Sequence, residues 1–161
     1  EITFLEGYLW DEGEPKKAFD KAIANSNKVA MSLSDLFCVE RHREHFLELS
    51  KNKLDIIFAN EQEILSLINK KSFIEAVAFS KELNKQVIIT RGEKGAISIN
   101  GNKIAEHPAE ANLEIKDLTG AGDLFAAGYL HGYINKCSME ECLEKGTKLS
   151  SKIIQKIGAR I

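Results

Sequence analysis

The sequence predicts an α/β fold in which helices flank a mostly parallel sheet, with Rossmann-type layering and one small antiparallel hairpin. Two observations carry this prediction. Short apolar, β-prone runs alternate along the 161 residues with segments of helical periodicity, and such alternation is typical of parallel sheets with right-handed crossover helices on both faces. An Asn-Gly pair at 100–101 separates two short β-prone runs, which is a strong hairpin signal.

The individual elements follow from the apolar runs and their spacing. Strands are predicted near residues 2–9, 29–33, 54–59 and 86–90, with a hairpin formed by 96–99 and 103–106. Helices are predicted near residues 16–26, 40–50, 61–68, 72–83, 121–135 and 138–157. The chain has only two prolines and no Gly/Ser-rich linker, so a single domain over 1–161 is expected.

Composition limits the function classes. Lys and Arg number 22 and Asp and Glu number 24, for a net charge of −2, so no basic field favours nucleic acid or an acidic membrane. The apolar runs are also far shorter than the roughly 20 residues of a membrane span. The three cysteines, Cys38, Cys137 and Cys142, fit no zinc spacing and are expected to be free thiols in a reducing cytoplasm.

The most informative motif is the string DLTGAGD at residues 117–123. Its glycines leave backbone amides unshielded where a helix is predicted to start, and such amides can face an anion with the helix dipole behind them. Phosphoryl transfer needs an anion hole of this kind. Asp123, in the first helical turn, could take the proton of an attacking hydroxyl. The alternative is a simple helix cap, which the full seven-residue string disfavours.

Two further motifs follow predicted strands, where ligands bind in open α/β sheets. The turn TRGEKG at 90–95 has glycines that allow positive φ and a close approach of a nucleotide, although a plain strand–turn–strand explains it equally well. The segment from Asn60 to Glu63 follows another predicted strand. Taken alone, a helix N-cap at Asn60 is the better interpretation, while one carboxylate such as Glu63 is sufficient for a magnesium ion that keeps its waters.

Together and in this order, the three motifs resemble those of the ribokinase-like (PfkB-type) family of carbohydrate and nucleoside kinases. The string at 117–123 is similar to the family's second signature, the turn at 90–95 to its ATP-binding turn, and Asn60-x-x-Glu63 to its N-x-x-E element. The resemblance implies catalytic roles for Asp123 as base and for an anion hole made by Gly120, Ala121 and Gly122. It implies ATP contacts at Asn60, Thr90, Gly92 and Gly95. It also implies a water-mediated Mg²⁺ at Glu63 and a monovalent cation, K⁺ being the candidate, at Asp117 and Thr119.

The resemblance implies an ATP-dependent phosphotransferase that acts on a hydroxyl of a sugar or nucleoside. The alternative is a non-catalytic nucleotide-binding or assembly module that retains the kinase scaffold. A Rossmann dehydrogenase is excluded because no G-x-G-x-x-G follows the first strand. Residues 6–11 and 34–39 also resemble adenosine kinases and generic sugar kinases, and the C-terminal Gly158-Ala159-Arg160 resembles a family element beside the cation. Trp10 and Phe37 are expected to be core residues rather than ligand contacts.

The resemblance covers essentially the whole chain but only the C-terminal part of the family's usual length. The sequence opens inside a predicted strand, without an initiator Met. We therefore expect the substrate-binding N-terminal part and its lid to be absent, one strand edge to be exposed, and the chain by itself to be inactive. Self-association into a homo-oligomer is an open alternative to a monomer.

Overall fold

The computed structural model describes residues 1–10 and 13–160, in which six strands form one sheet in the order β1-β2-β3-β4-β5-β6. The strands are β1 (Ile2–Glu6), β2 (Lys28–Ser32), β3 (Ile56–Asn60), β4 (Gln86–Thr90), β5 (Ala96–Asn100) and β6 (Lys103–His107). The α-helices are α1 (Pro15–Ala24), α2 (Leu36–Asn52), α3 (Glu61–Ile68), α4 (Phe73–Leu83), α5 (Ala121–Ile134) and α6 (Met139–Ile153). Short 3₁₀ turns cover Gly7–Trp10 and Gly92–Lys94.

The predicted fold class is confirmed. Strands β1 to β4 are parallel, and β4 to β6 are antiparallel. Within β3 and β4, Ile56, Ile57, Val87, Ile88 and Ile89 are fully buried. Continuous apolar runs of this kind are what parallel strands covered on both faces require. Among the described strands β1 ends the order, so one of its edges has no strand partner there.

Local chemistry moves several boundaries from their predicted positions. The first strand stops at Glu6 because the chain turns into a 3₁₀ helix at Gly7. Helix α2 begins at Leu36, earlier than predicted, because Asp35 caps it: the Asp35 Oδ1 accepts from the Cys38 backbone N at 2.6 Å. In the hairpin Asn100 remains in β5, and the loop starts at Gly101, whose φ is +56°. Glycine at the first loop position is the pattern of a type II′ turn.

The described chain forms two compact units. The first comprises residues 1–90 with 99–104, and the second 91–98 with 105–161. The first has a core that includes Phe19, Phe46 and Leu67, and the second a core that includes Tyr129 and Leu143. That the chain behaves as a single domain stays a prediction. Among the described helices, none combines the length and apolar character that crossing a bilayer requires.

Candidate active site

In the first unit, the parallel register brings the ends of the strands to one edge. Glu6 lies beside Ser32 across the β1–β2 pair, and Asn60 lies beside Thr90 across the β3–β4 pair. Asn60 begins the turn into α3 and Thr90 begins the turn at 90–95. The structure therefore places these two predicted nucleotide contacts side by side, at the edge where ligands bind in parallel sheets.

Asn60 and Glu63 form a reciprocal capping box at the start of α3. The Asn60 Oδ1 accepts from the Glu63 backbone N at 2.9 Å, and the Glu63 Oε2 accepts from the Asn60 backbone N at 2.8 Å. The second carboxylate oxygen, Oε1, accepts from the Asn60 Nδ2 at 2.6 Å. Asn60 is therefore the N-cap residue of α3, as its position in the sequence alone indicates. It also fixes the Glu63 side chain, which is 5% exposed, in a single orientation.

The surroundings of Glu63 disfavour its ionised form. Burial raises its pKa to about 7, the bond from the Asn60 backbone opposes this rise, and the nearby carboxylates of Asp35 and Glu6 add to it. Our sequence reasoning did not assign Glu6 or Asp35 to the site. Asp35 follows the strand predicted at 29–33, and this position was an available signal. Glu6 lay inside the strand predicted at 2–9, and only the structure ends β1 at Glu6.

This setting fits a hydrated magnesium ion. A divalent cation would offset the mutual repulsion of Glu6, Asp35 and Glu63, which a neutral ligand would not. Within residues 1–10 and 13–160, no group of three or more His, Cys, Asp or Glu side chains is arranged to hold a metal directly. Contact through water is the mode that magnesium favours, since it loses its waters reluctantly.

In metal-free buffer, we expect Glu63 to make the free energy of unfolding fall as the pH rises from 4.5 to 7. The pKa of Glu63 is about 7 in the folded chain and 4.5 for the free side chain, so over this range the folded state keeps a proton that the unfolded state releases. The stabilisation that protonated Glu63 gives the folded state is complete below pH 4.5 and is lost as the pH rises through about 7. The free energy of unfolding should fall by at most about 1.4 kcal/mol per pH unit.

Urea titrations of the wild-type chain and Glu63→Gln, from about pH 4 to pH 8, measure this effect. Gln is neutral throughout, so the difference in unfolding free energy between the two proteins should change across this range. A difference that does not vary with pH would contradict the assignment.

The turn at 90–95 is held by its own backbone. The Arg91 N donates to the Gly95 O at 2.8 Å around the 3₁₀ turn. Gly92 and Gly95 have φ of +58° and +84°, so the positive φ that the sequence predicted is present at both. A Cβ at Gly95 would also collide with the carbonyl of His107, which leaves glycine as the residue that fits.

In the second unit, the string at 117–123 forms the start of α5. Gly120 is the N-cap residue, with φ +79°, and α5 begins at Ala121. Gly122 and Asp123 are exposed in the first turn, and a Cβ built on Gly122 would meet no atom within 4 Å. The helix start therefore presents open backbone beside a carboxylate, as an anion hole with an adjacent base requires.

Asp117 ties this loop to the C-terminal Gly-Ala-Arg element. Its Oδ1 accepts from the Thr119 Oγ1 at 2.7 Å and the Thr119 N at 2.9 Å, and its Oδ2 accepts from the Gly158 N at 2.9 Å. These bonds, led by that of the Thr119 side chain, lower the pKa of Asp117 to about 2. A Cβ at Gly120 would stand 3.0 Å from that of Ala159. An ionised carboxylate beside a hydroxyl fits a hard monovalent cation.

Glycines fix the position of α5 against α6. A Cβ at Gly128 would lie 2.5 Å from the Lys145 O, and one at Gly146 would lie 2.9 Å from the Phe125 O. The two helices approach each other backbone to backbone at these points. Replacement of either glycine would push the helices apart and shift the start of α5.

Tyr8, Leu9 and Phe37 are large apolar side chains of the first unit that are exposed, at 53, 60 and 68%. We call them the apolar patch. The expectation that Phe37 is a core residue is wrong, because it occupies the outer face of the first turn of α2. Trp10, in contrast, packs on Phe19, with ring centroids 4.9 Å apart. Sequence reasoning missed the patch, since local apolar spacing does not distinguish a covered from an uncovered face.

The arrangement of the strands, helices and hairpin defines the class: the chain has a ribokinase-like α/β fold. It belongs to the pfkB family of carbohydrate kinases, whose model matches residues 15–161. An adenosine kinase from Sinorhizobium meliloti is 39% identical in sequence, with a TM-score of 0.95 over 99% of this chain and 50% of that one. A probable sugar kinase from Rhizobium etli is also 39% identical, with a TM-score of 0.94 over the same shares.

A cytidine kinase from Thermococcus kodakarensis is 34% identical over 119 residues, which are 72% of this chain and 42% of that protein. The chain thus spans about half the length of the relatives it matches. Two structures of equal identity carry different acceptor names, so similarity alone does not fix the acceptor. That Asp123 lies near Asn60 and Thr90 stays a prediction.

Proposed function

We propose that the protein containing this chain transfers the γ-phosphoryl group of ATP to a hydroxyl of a nucleoside or sugar. The observation that carries the proposal is the start of α5, where Gly120 adopts a left-handed N-cap and Gly122 and Asp123 are exposed beside it. Open amides at a helix terminus attract the transferred phosphoryl oxygens, and the carboxylate accepts a proton next to them.

In this reaction the proton of the acceptor hydroxyl moves to the Asp123 carboxylate. The hydroxyl oxygen bonds to the γ-phosphorus, and the bond from that phosphorus to the β-phosphate oxygen breaks, which releases ADP. The backbone amides of Gly120, Ala121 and Gly122 would stabilise the charge on the transferred group. Because charge stabilisation and orientation dominate phosphoryl transfer, rigid support of this loop by the Asp117–Gly158 bond contributes to the rate.

The remaining predicted contacts supply the nucleotide and its cations. Asn60 and Thr90 share one sheet edge, and the turn that carries Gly92 and Gly95 follows in the chain. We propose that these residues contact ATP. Glu63 would hold Mg²⁺ through water, and the metal would shield phosphate charge. Asp117 and Thr119 would face K⁺.

Replacement of Glu63 by Ala is expected to raise the Mg²⁺ concentration needed for half-maximal activity. The cause is loss of the buried carboxylate that is proposed to attract the hydrated cation, together with its cap on α3. Gln62→Ala is the matched control, because Gln62 is exposed on the same helical turn. Activity is measured against Mg²⁺ at fixed ATP. If both variants required the same Mg²⁺ as wild type, the magnesium role would be wrong.

The apolar patch favours a nucleoside over a sugar as the acceptor. Aromatic faces such as those of Tyr8 and Phe37 stack on planar bases, and each such contact is worth about 1–3 kcal/mol. A sugar would instead call for several polar groups at this position. The chain spans about half of its relatives, and we further propose that it is part of a longer kinase. From the motifs at 60–63, 90–95 and 117–123 we propose that it is the C-terminal part, and that the kinase is cytoplasmic.

A coupled assay for ADP release tests the function as a whole. The full-length protein is supplied with Mg-ATP and, one at a time, adenosine, cytidine, ribose and fructose. ADP release that depends on a nucleoside is the expected result. A protein that binds ATP but releases no ADP with any acceptor would support the non-catalytic module instead.

A further inference from the structure

Ser34 holds an unusual backbone conformation between β2 and α2. Its φ is +72°, in the left-handed region that non-glycine residues rarely adopt. Such strain persists only where the surroundings impose it, and it is frequent at functional sites. The residues after it, Asp35 and Phe37, form the cap and first turn of α2.

The Ser34 hydroxyl connects two elements that are distant in sequence. Its Oγ donates to the Glu6 Oε2 at 3.0 Å, at the end of β1, and accepts from the Tyr8 N at 3.3 Å, in the following 3₁₀ turn. The approach is close: a Cβ on Gly7 would lie 2.8 Å from the Leu33 O and 3.1 Å from the Ser34 Oγ. One side chain therefore fixes the 3₁₀ turn to the start of α2.

A second link runs in parallel. The Tyr8 hydroxyl bonds to Asp35, and burial, followed by this bond, raises the pKa of Tyr8 to about 12. Asp35 in turn accepts from the Cys38 N at 2.6 Å. The elements that carry Tyr8 and Phe37 are thus joined at both their backbone and their side-chain ends.

We propose that Ser34 is a positioning residue for the acceptor: its hydroxyl sets the spacing of Tyr8 and Phe37, so that their exposed rings form one preformed surface for a planar base. This inference rests on the proposed function, in which the patch receives a nucleoside. Ser34 itself contacts neither ATP nor the reacting atoms. Its strained backbone is maintained because the hydroxyl must point toward Glu6 and Tyr8.

Two substitutions separate positioning from stability. Ser34→Gly and Ser34→Ala both remove the hydroxyl, but glycine tolerates positive φ and alanine does not. The midpoint of thermal unfolding should therefore be lower for Ser34→Ala than for Ser34→Gly. If the hydroxyl positions the patch, both variants should raise the nucleoside KM by a similar factor, about five- to tenfold, with the ATP KM unchanged. Phe37→Ala serves as the direct control on the patch.

If Ser34 matters only for stability, the nucleoside KM will follow the unfolding midpoint, with Ser34→Gly close to wild type, or the ATP KM will rise in step. Either result overturns the proposal.

Amide hydrogen exchange tests the link between Ser34 and Tyr8 without requiring catalytic turnover. Amide hydrogen exchange at Tyr8 should be at least about fivefold faster in Ser34→Gly than in wild type, because that amide loses its acceptor, while exchange in β3 is unchanged. Unchanged protection at Tyr8 would refute the positioning role whether or not the protein is a kinase. Faster exchange in a protein that releases no ADP would instead refute the function and leave the Ser34 link established.

Discussion

Replacement of Asp123 by Asn is expected to lower kcat by about 10²- to 10⁴-fold, the usual range for loss of a general base, and to leave ATP affinity nearly unchanged. Asn is close to Asp in size but cannot accept the acceptor's proton at neutral pH. Asp123 is exposed in the first turn of α5, so the substitution disturbs no packing. Steady-state kinetics with the full-length protein measure kcat, and equilibrium titration measures ATP binding.

A matched control isolates chemistry from helix electrostatics. A carboxylate in a first turn stabilises its helix by about 0.3–1 kcal/mol through the dipole, and Asp123→Asn loses this as well. Glu140→Gln removes a first-turn carboxylate from α6 in the same unit without touching the glycine loop. Its kcat should stay near wild type. Near-normal turnover in Asp123→Asn would show that Asp123 is a helix residue and nothing more.

The 161-residue chain by itself is expected to release almost no ADP with any nucleoside or sugar. Orientation of the acceptor hydroxyl in line with the γ-phosphate can be worth about 7–11 kcal/mol of the barrier. The chain spans about half of its relatives, and we propose that the other half supplies most of this orientation. Weak ATP binding is the most that the chain should show.

The same coupled assay measures this prediction, with the chain and the full-length protein compared at equal concentration. Sedimentation of the isolated chain should also show self-association, because β1 ends the described strand order and an unpaired edge is a template for another strand. Robust acceptor-dependent ADP release by the isolated chain would mean that residues 1–161 hold a complete acceptor site.

Much of the site was readable from the sequence because its signals are local. Glycines at 92, 95 and 120 sit where positive φ is needed, and all three adopt it. The Asn60–Glu63 spacing specifies a capping box, and the box is present. The proposed roles of these residues in ATP, Mg²⁺ and K⁺ binding stay predictions, because their backbone conformation does not depend on a ligand.

What the sequence by itself determined is the order and type of the elements and the chemistry at their ends. These depend on periodicity, turn residues and caps, which act over a few positions. Only the tertiary structure decided that Glu6 and Asp35 raise the pKa of Glu63, and that Phe37 is exposed rather than buried. It also decided that Ser34 reaches back to Glu6. The contacts of Glu6 depend on the pairing of β1 with β2, whose partners are 26 positions apart in the chain. The exposure of Phe37 depends on which faces other elements cover, and a local pattern of a few residues decides neither.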